Sequence, residues 1–216
     1  MVVTIDGPAG AGKSSVARHL AAALSFDLLD TGSMYRAVTL IALRRNIAWS
    51  DTEQLVRAID DLRLDLASQR LWLNDTEITS EIRLPEVTRQ IRLVAGNTAI
   101  RQRLNEWQRK IADGRDIVTE GRDQGSEVFP QAVCKIFLTA TASERAKRRV
   151  IQLQNGSENL DFELVKQEIE RRDEGDRQRE VGRLCPAQDA LQFCSDELTE
   201  GEVVRAMVLI VQARTV

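Results

Sequence analysis

The chain is sparing with the residues that several kinds of chemistry need. It holds one histidine, one tyrosine, three cysteines and four prolines in 216 residues, and aromatic side chains make up 4%. With His19 as the sole imidazole, expected at the surface, no mechanism should rest on histidine acid–base catalysis. Cys134, Cys185 and Cys194 are odd in number and scattered, which argues against a disulfide framework, and they lack metal-ligand spacing. No apolar run approaches the roughly 20 residues of a membrane helix. The first residues lack the basic, apolar, small-residue order of a signal peptide. Thirty Lys and Arg against thirty-three Asp and Glu leave a formal charge of -3, which argues against a general nucleic-acid binder. A cytoplasmic protein is expected, with neither membrane nor nucleic acid as partner.

What is present has a clear order. "VVTID" (2–6) is a short apolar run that closes on a glycine-rich loop, and "KSSVARHLAAAL" (13–24) follows with helix-forming residues. "FDLLD" (26–30), "DIVTE" (116–120), "AVCKIFL" (132–138) and "ALQFC" (190–194) read as four more strands. "SMYRAVTLIALRR" and "TEGEVVRAMVLIVQA" read as helices. Strands alternating with helices predict an α/β fold: a parallel five-stranded sheet with right-handed crossovers, covered on both faces, with the first strand near its middle. One region departs from this rhythm. In "LRLDLASQRLWLNDTEIT" (62–79) apolar and polar residues alternate on either side of "ASQ", predicting a half-exposed hairpin with Trp72 on its apolar face. The charged run 159–183 predicts a mobile helical pair. The whole chain, 1–216, reads as one domain.

The loop itself carries the most specific signal. Gly7, Gly12, Lys13 and Ser14 satisfy G-x-x-x-x-G-K-[ST], with a strand before and a helix after. Along Gly7-Pro8-Ala9-Gly10-Ala11-Gly12-Lys13-Ser14-Ser15 the backbone N–H groups can turn inward around the phosphates of ATP. Lys13 reaches the β- and γ-oxygens, the Ser14 hydroxyl suits Mg²⁺, and the helix N-terminus adds its dipole. Glu120, at the end of a neighbouring strand, is placed to position magnesium-bound water.

Transfer onto a second phosphate requires fixed cations, since two polyanions must meet head to head. Arg36 after "DTGSMY", Arg122 in "EGRD", and Arg172, Arg177 and Arg179 in "RRDEGDRQR" lie at element ends. Arg36 and Arg122 follow strands directly, at the carboxyl edge of the sheet where ligands bind. For Arg145, Arg148 and Arg149 in "ERAKRR", a solvated helix face is an equal alternative. Asp30 serves equally as a helix N-cap.

Taken in order, "TIDGP.G.GKS", "LLDTGSMYRA", "SEIR", "EGRDQGS.VFP" and "RRD..D..R" resemble bacterial cytidylate kinases, from about residue 3 to about residue 190. The resemblance implies a P-loop NTPase fold of three layers, with a β-containing monophosphate-binding insertion over about 33–110 and a helical lid over about 148–182. It implies ATP-dependent phosphoryl transfer to CMP or dCMP. The near-neutral composition gives no hint of a large partner interface, and a monomer is expected. Arg36, Arg122 and Arg172 would hold the acceptor phosphate, Arg101 and Asp123 would face cytosine, and Asp176, steadied by Arg179, would hold the ribose. Thr31 would sit in the acceptor pocket, and Arg177 would help neutralise the transferring group. Arg92 stands where that family usually has serine. Gln124, Ser126, Gly175, Arg183 and Cys194 also depart from its pattern. A UMP acceptor, or a regulatory nucleotide-binding protein with little turnover, are the alternatives.

Overall fold

In the computed structural model, which describes residues 1–154 and 161–215, the five apolar runs become one parallel sheet. Its strands are β1 (Val2–Asp6), β2 (Asp27–Asp30), β6 (Ile117–Gly121), β7 (Cys134–Thr139) and β8 (Leu191–Cys194), in the order β2-β6-β1-β7-β8. The phosphate-loop strand is therefore central, and Val3, Thr4, Ile5 and Asp6 are all buried, as a strand covered on both faces must be. Asp6 stands opposite Gly121 and Phe137, and Asp30 opposite Glu120. Gly7, Thr31 and Arg122 consequently leave the sheet along one carboxyl edge.

Two helical layers cover it. Helices α1 (Lys13–Leu24) and α8 (Glu200–Thr215) press Val16, Ala17, Leu20, Val203, Met207 and Val211 against Val3, Ile5, Ile136 and Leu138. On the opposite face, α2 (Thr31–Arg44) and α5 (Thr98–Ala112) join Leu29, Ile117, Val128 and Phe129. Within α5, Ile100 and Leu104 are fully buried, with Trp107 and Ile111 packed beside them, so one apolar stripe of the helix faces inward. Among the described residues no helix is long and apolar enough to cross a membrane.

The insertion differs from the expected hairpin in two respects. It contains α3 (Thr52–Arg57), three antiparallel strands β3 (Leu62–Asp65), β4 (Arg70–Leu73) and β5 (Thr76–Glu77), and α4 (Pro85–Ala95). The third strand arises because Asn74 adopts φ 51°, a left-handed turn that asparagine tolerates without glycine. Trp72 does not lie on the buried face. Leu71 and Leu73 take that face, and alternation turns Trp72 outward beneath its cross-strand partner Arg63, 5.1 Å from the ring centre.

The charged segment also differs. Residues 162–177 form a single helix, α7 (Phe162–Arg177), which packs against α6 (Ala142–Gln154). After Arg177 the chain is irregular as far as Ala190. Gly175 faces open space inside α7 and does not break it, whereas Gly182 at φ 65° and Pro186 prevent a second helix. Residues 155–160 of the expected lid lie outside the described residues.

Candidate active site

The phosphate loop is shaped by glycine where nothing else can stand. Gly7 has φ 148°, and a Cβ there would lie 1.9 Å from the Leu138 carbonyl oxygen. Gly12, at φ 88°, leads directly into α1, whose first turn contains no acidic residue to repel an anion. Lys13 is buried at the mouth of this loop, where its Nζ donates to the Pro8 carbonyl at 2.7 Å. Burial pushes its ammonium down to about 7; Arg122 and Arg172 push the same way, and Glu120 and Asp6 oppose them. The Ser15 hydroxyl donates to the Gly12 carbonyl at 3.1 Å.

Ser14 and Glu120 are brought together by a hydrogen bond. The Ser14 hydroxyl donates to Glu120 Oε1 at 2.9 Å, joining α1 to the end of β6. Burial, with Asp30 adding, raises the Glu120 carboxyl above its ordinary range, while Lys13 and Arg122 counter. A hydroxyl and a carboxylate are hard oxygen donors, suited to Mg²⁺. No cluster of three or more His, Cys, Asp or Glu side chains capable of holding a metal occurs among the described residues.

Beside this grip the expected acceptor residues converge. The Thr31 hydroxyl donates to the Glu120 carbonyl at 2.7 Å. Asp30 caps α2, accepting from the Ser33 N–H at 3.1 Å and the Ser33 hydroxyl at 2.6 Å, so its carboxylate is committed to the helix start. Arg36, one turn further, donates to Thr88 Oγ1 on α4 at 2.8 Å. Arg122 leaves β6, donates to its own preceding carbonyl, Gly121 O, at 3.0 Å and lies 3.4 Å from Asp176. Arg179 binds the other Asp176 oxygen at 2.6 Å. Burial pushes Arg172 down to about 10, with Arg122, Arg92 and Arg36 contributing and only Asp176 opposing. A guanidinium held this far below its ordinary value marks a site short of negative charge.

Arg101 and Asp123 are buried together as an ion pair. Arg101 also donates to the Ala95 carbonyl at 3.2 Å and stacks 5.4 Å from the Tyr35 ring centre, while its Nε has no partner. Arg177 is not drawn into this cluster. It is exposed, 3.6 Å from Glu174, and faces a cavity of about 780 Å³ lined also by Pro8, Arg145 and Asp173. His19 is exposed, beside Glu200.

Two residues that sequence reasoning did not place at the site help to build it. Arg145 is buried against the phosphate loop, donating to the Ala9 carbonyl at 3.0 Å and pairing with Asp173 at 2.6 Å. The signal was its place one turn into α6, directly after β7. Asp6 accepts the N–H groups of Gln124 and Gly125 at 2.8 and 2.7 Å, so the last residue before the loop pins the first residues after Asp123. Burial pushes its carboxyl up to about 7 despite those two bonds. Gln124 turns inward to accept from Thr119 Oγ1 at 2.9 Å, which accounts for a polar residue at that position.

A family model described as cytidylate kinase matches residues 3–213. A cytidylate kinase of Rhodopirellula baltica is 49% identical over 212 residues, which span 98% of this chain and 93% of that protein. One of Caldanaerobacter subterraneus is 40% identical over 213 residues, spanning 99% and 95%. Among solved structures, a shikimate kinase from Bacteroides thetaiotaomicron gives a TM-score of 0.51 at 14% identity, covering 98% of each chain. An uncharacterized protein from Eubacterium ventriosum gives 0.55 at 13% identity, covering 99% of this chain and 98% of that one. These two share the fold, while the family match runs from residue 3 to residue 213: the chain belongs to the cytidylate kinase family.

Proposed function

We propose that the protein transfers the γ-phosphoryl group of ATP to CMP or dCMP, giving ADP and CDP or dCDP. The observation that carries this reading is the convergence of Arg36, Arg122 and Arg172 around one cation-rich space beside Lys13. A hydrolytic switch has no use for a second polyanion site, whereas a monophosphate acceptor fills it.

The residues divide the work as follows. The loop 7–15 holds the donor phosphates, and Lys13 stays with the γ-group as it moves. Arg36, Arg122 and Arg172 fix the acceptor phosphate so that one of its oxygens faces the γ-phosphorus in line with the leaving ADP oxygen. A bond forms from that oxygen to phosphorus while the bond to ADP breaks. The acceptor oxygen is already anionic at neutral pH, so no base is needed. Ser14 and Glu120 would hold Mg²⁺, which when bound neutralises charge on the β- and γ-oxygens. Arg101 and Asp123 offer a donor and an acceptor that match N3 and the exocyclic amine of cytosine, a pairing that uracil reverses. Asp176, with Arg179, takes the ribose hydroxyls, and Arg177 approaches as α6 and α7 close over the donor and exclude water. The single chain carries every group named here, which supports a monomer, and its three free cysteines support a reducing compartment such as the cytoplasm.

A second reading, an acceptor other than a cytidine nucleotide, is favoured by Arg92, a cation whose charge is felt at Arg172 and Arg179. Release of ADP from MgATP with CMP, dCMP, UMP, AMP or no acceptor separates the readings. Stimulation by CMP, lost in Arg122→Ala, supports the first. Stimulation by UMP alone moves the assignment, and stimulation by none of them overturns it.

A further inference from the structure

The chain that leaves α7 does not return to the sheet by the open surface; it crosses the buried Arg101–Asp123 pair. Gly182 is the point of crossing. It is buried, adopts φ 65°, and a Cβ on it would fall 1.9 Å from Arg101 Cζ, so its backbone rests directly on the guanidinium. A buried backbone N–H at such a place needs an acceptor, or it carries the full desolvation penalty. Glu127 supplies one: Gly182 N–H lies 3.0 Å from Oε1 and 3.3 Å from Oε2.

Glu127 is itself tied to the acceptor pocket. Its own N–H donates to the Asp123 carbonyl at 2.8 Å, in the single turn of π-helix formed by Gln124–Val128. Glu127 is exposed as a residue, yet its carboxyl shares a hydrogen bond with the Asp123 side chain and feels Arg101. Two residues beyond the crossing, Leu184 N–H donates to the Asp176 carbonyl at 2.9 Å. One carboxylate thus connects the turn that carries Asp123 to the strap that carries Arg179, and through Leu184 to Asp176 at the end of α7.

We propose that Glu127 is a positioning residue for the acceptor nucleoside: by gripping the Gly182 N–H it holds the strap 178–184 over the Arg101–Asp123 pair, and so places Arg179 and, through the Leu184–Asp176 backbone bond, the α7 end that carries Asp176 beside the acceptor ribose. This rests on the cytidine-nucleotide reading above. The bonds of Glu127 run to Gly182, Asp123 and Arg109, so its loss is expected to act chiefly on the acceptor side. Glu127→Gln keeps an oxygen for the Gly182 N–H, whereas Glu127→Ala keeps none.

The test has two arms. Hydrogen exchange at the Gly182 amide, read without substrates, is expected to speed up at least tenfold in Glu127→Ala and to stay near wild type in Glu127→Gln. Unchanged exchange in Glu127→Ala overturns the grip itself. Steady-state kinetics is expected to show KM for CMP raised roughly tenfold in Glu127→Ala and restored within about threefold by Glu127→Gln, with KM for MgATP and kcat little changed. A smaller rise for dCMP, which offers one ribose hydroxyl fewer, is expected alongside. Equal losses toward CMP and MgATP, or no loss at all, overturn the positioning role. Wild-type protein that shows no CMP-dependent ADP release fails the functional reading while leaving the exchange result to stand by itself.

Discussion

The Lys13 ammonium donates to the carbonyl of Pro8, 2.7 Å away and five residues earlier, so the lysine braces the loop it serves. In that position it faces Arg122 and Arg172 with only Glu120 and Asp6 in opposition, and burial holds it down to about 7. At pH 8 much of it is therefore neutral in the free protein. A bound triphosphate favours the charged amine and returns the proton. Binding of MgATP at pH 8 is expected to take up roughly half to one proton per site more in the wild type than in Lys13→Arg, whose guanidinium stays charged. Calorimetry in two buffers of different ionisation enthalpy measures the difference, and equal uptake by both proteins contradicts the assignment.

Arg122 lies against Asp176, its charge is felt at Lys13 and Arg172, and the proposed function puts it between donor and acceptor. Removal of a cation placed to meet developing charge costs about 10²–10³ in rate. Arg122→Ala is expected to lower kcat/KM for CMP by roughly that factor while weakening MgATP binding only a few-fold, because the loop and Lys13 persist. Single-turnover kinetics and equilibrium binding separate the two effects.

Asp6 predicts how stability depends on pH. Its carboxyl titrates near 3.8 in an unfolded chain and at about 7 in the fold. Below pH 4 both states carry the proton. Between pH 4 and 7 only the fold keeps it, so this contribution, on the order of 4 kcal/mol, is lost as pH rises through about 7. Asp123 raises the Asp6 carboxyl further and Lys13 pulls it back, and both remain in Asp6→Asn. That variant leaves one of the two N–H donors of Gln124 and Gly125 without its oxygen. It should be less stable than wild type at pH 5, with the gap narrowing toward pH 8. Denaturant titrations at the two values decide it; a gap that widens with pH refutes the account.

Arg92 lies one turn after Thr88 on α4, is exposed, and adds positive charge near Arg172 and Arg179. Arg92→Ser is expected to raise KM for CMP two- to fivefold at low salt and to leave it nearly unchanged at about 0.5 M salt, where such distances are screened. If KM for CMP falls instead, Arg92 obstructs the acceptor.

Much of this site is legible in the sequence because its residues sit where strands end. Gly7, Thr31 and Arg122 each follow an apolar run, and parallel pairing of Asp6 with Gly121 and of Asp30 with Glu120 brings those ends together. The five strands and the hairpin region follow from the same apolar patterning. Trp72 was misplaced because alternation fixes which residues share a face but not which face is buried, and two leucines outweighed one indole. Pattern alone leaves Arg145 open because a basic helix face looks alike whether water or a phosphate loop lies against it. Glu127 and Gly182 were unreadable: their bond joins residues 55 apart through a backbone N–H, which leaves no mark on side-chain pattern.

The strand order β2-β6-β1-β7-β8 has a consequence for how the chain is made. Val3 finds its two neighbours only at Val118 and Cys134, so the central strand emerges from the ribosome with both edges bare. At about 5–20 residues per second, roughly ten seconds pass before either partner is synthesised. Meanwhile the residues of the insertion, from Met34 to Leu104, can bury much of their apolar surface against one another. Maturation should thus begin from the middle of the chain, with the nascent N-terminal strand open to chaperones, or to a second nascent copy, until β6 arrives.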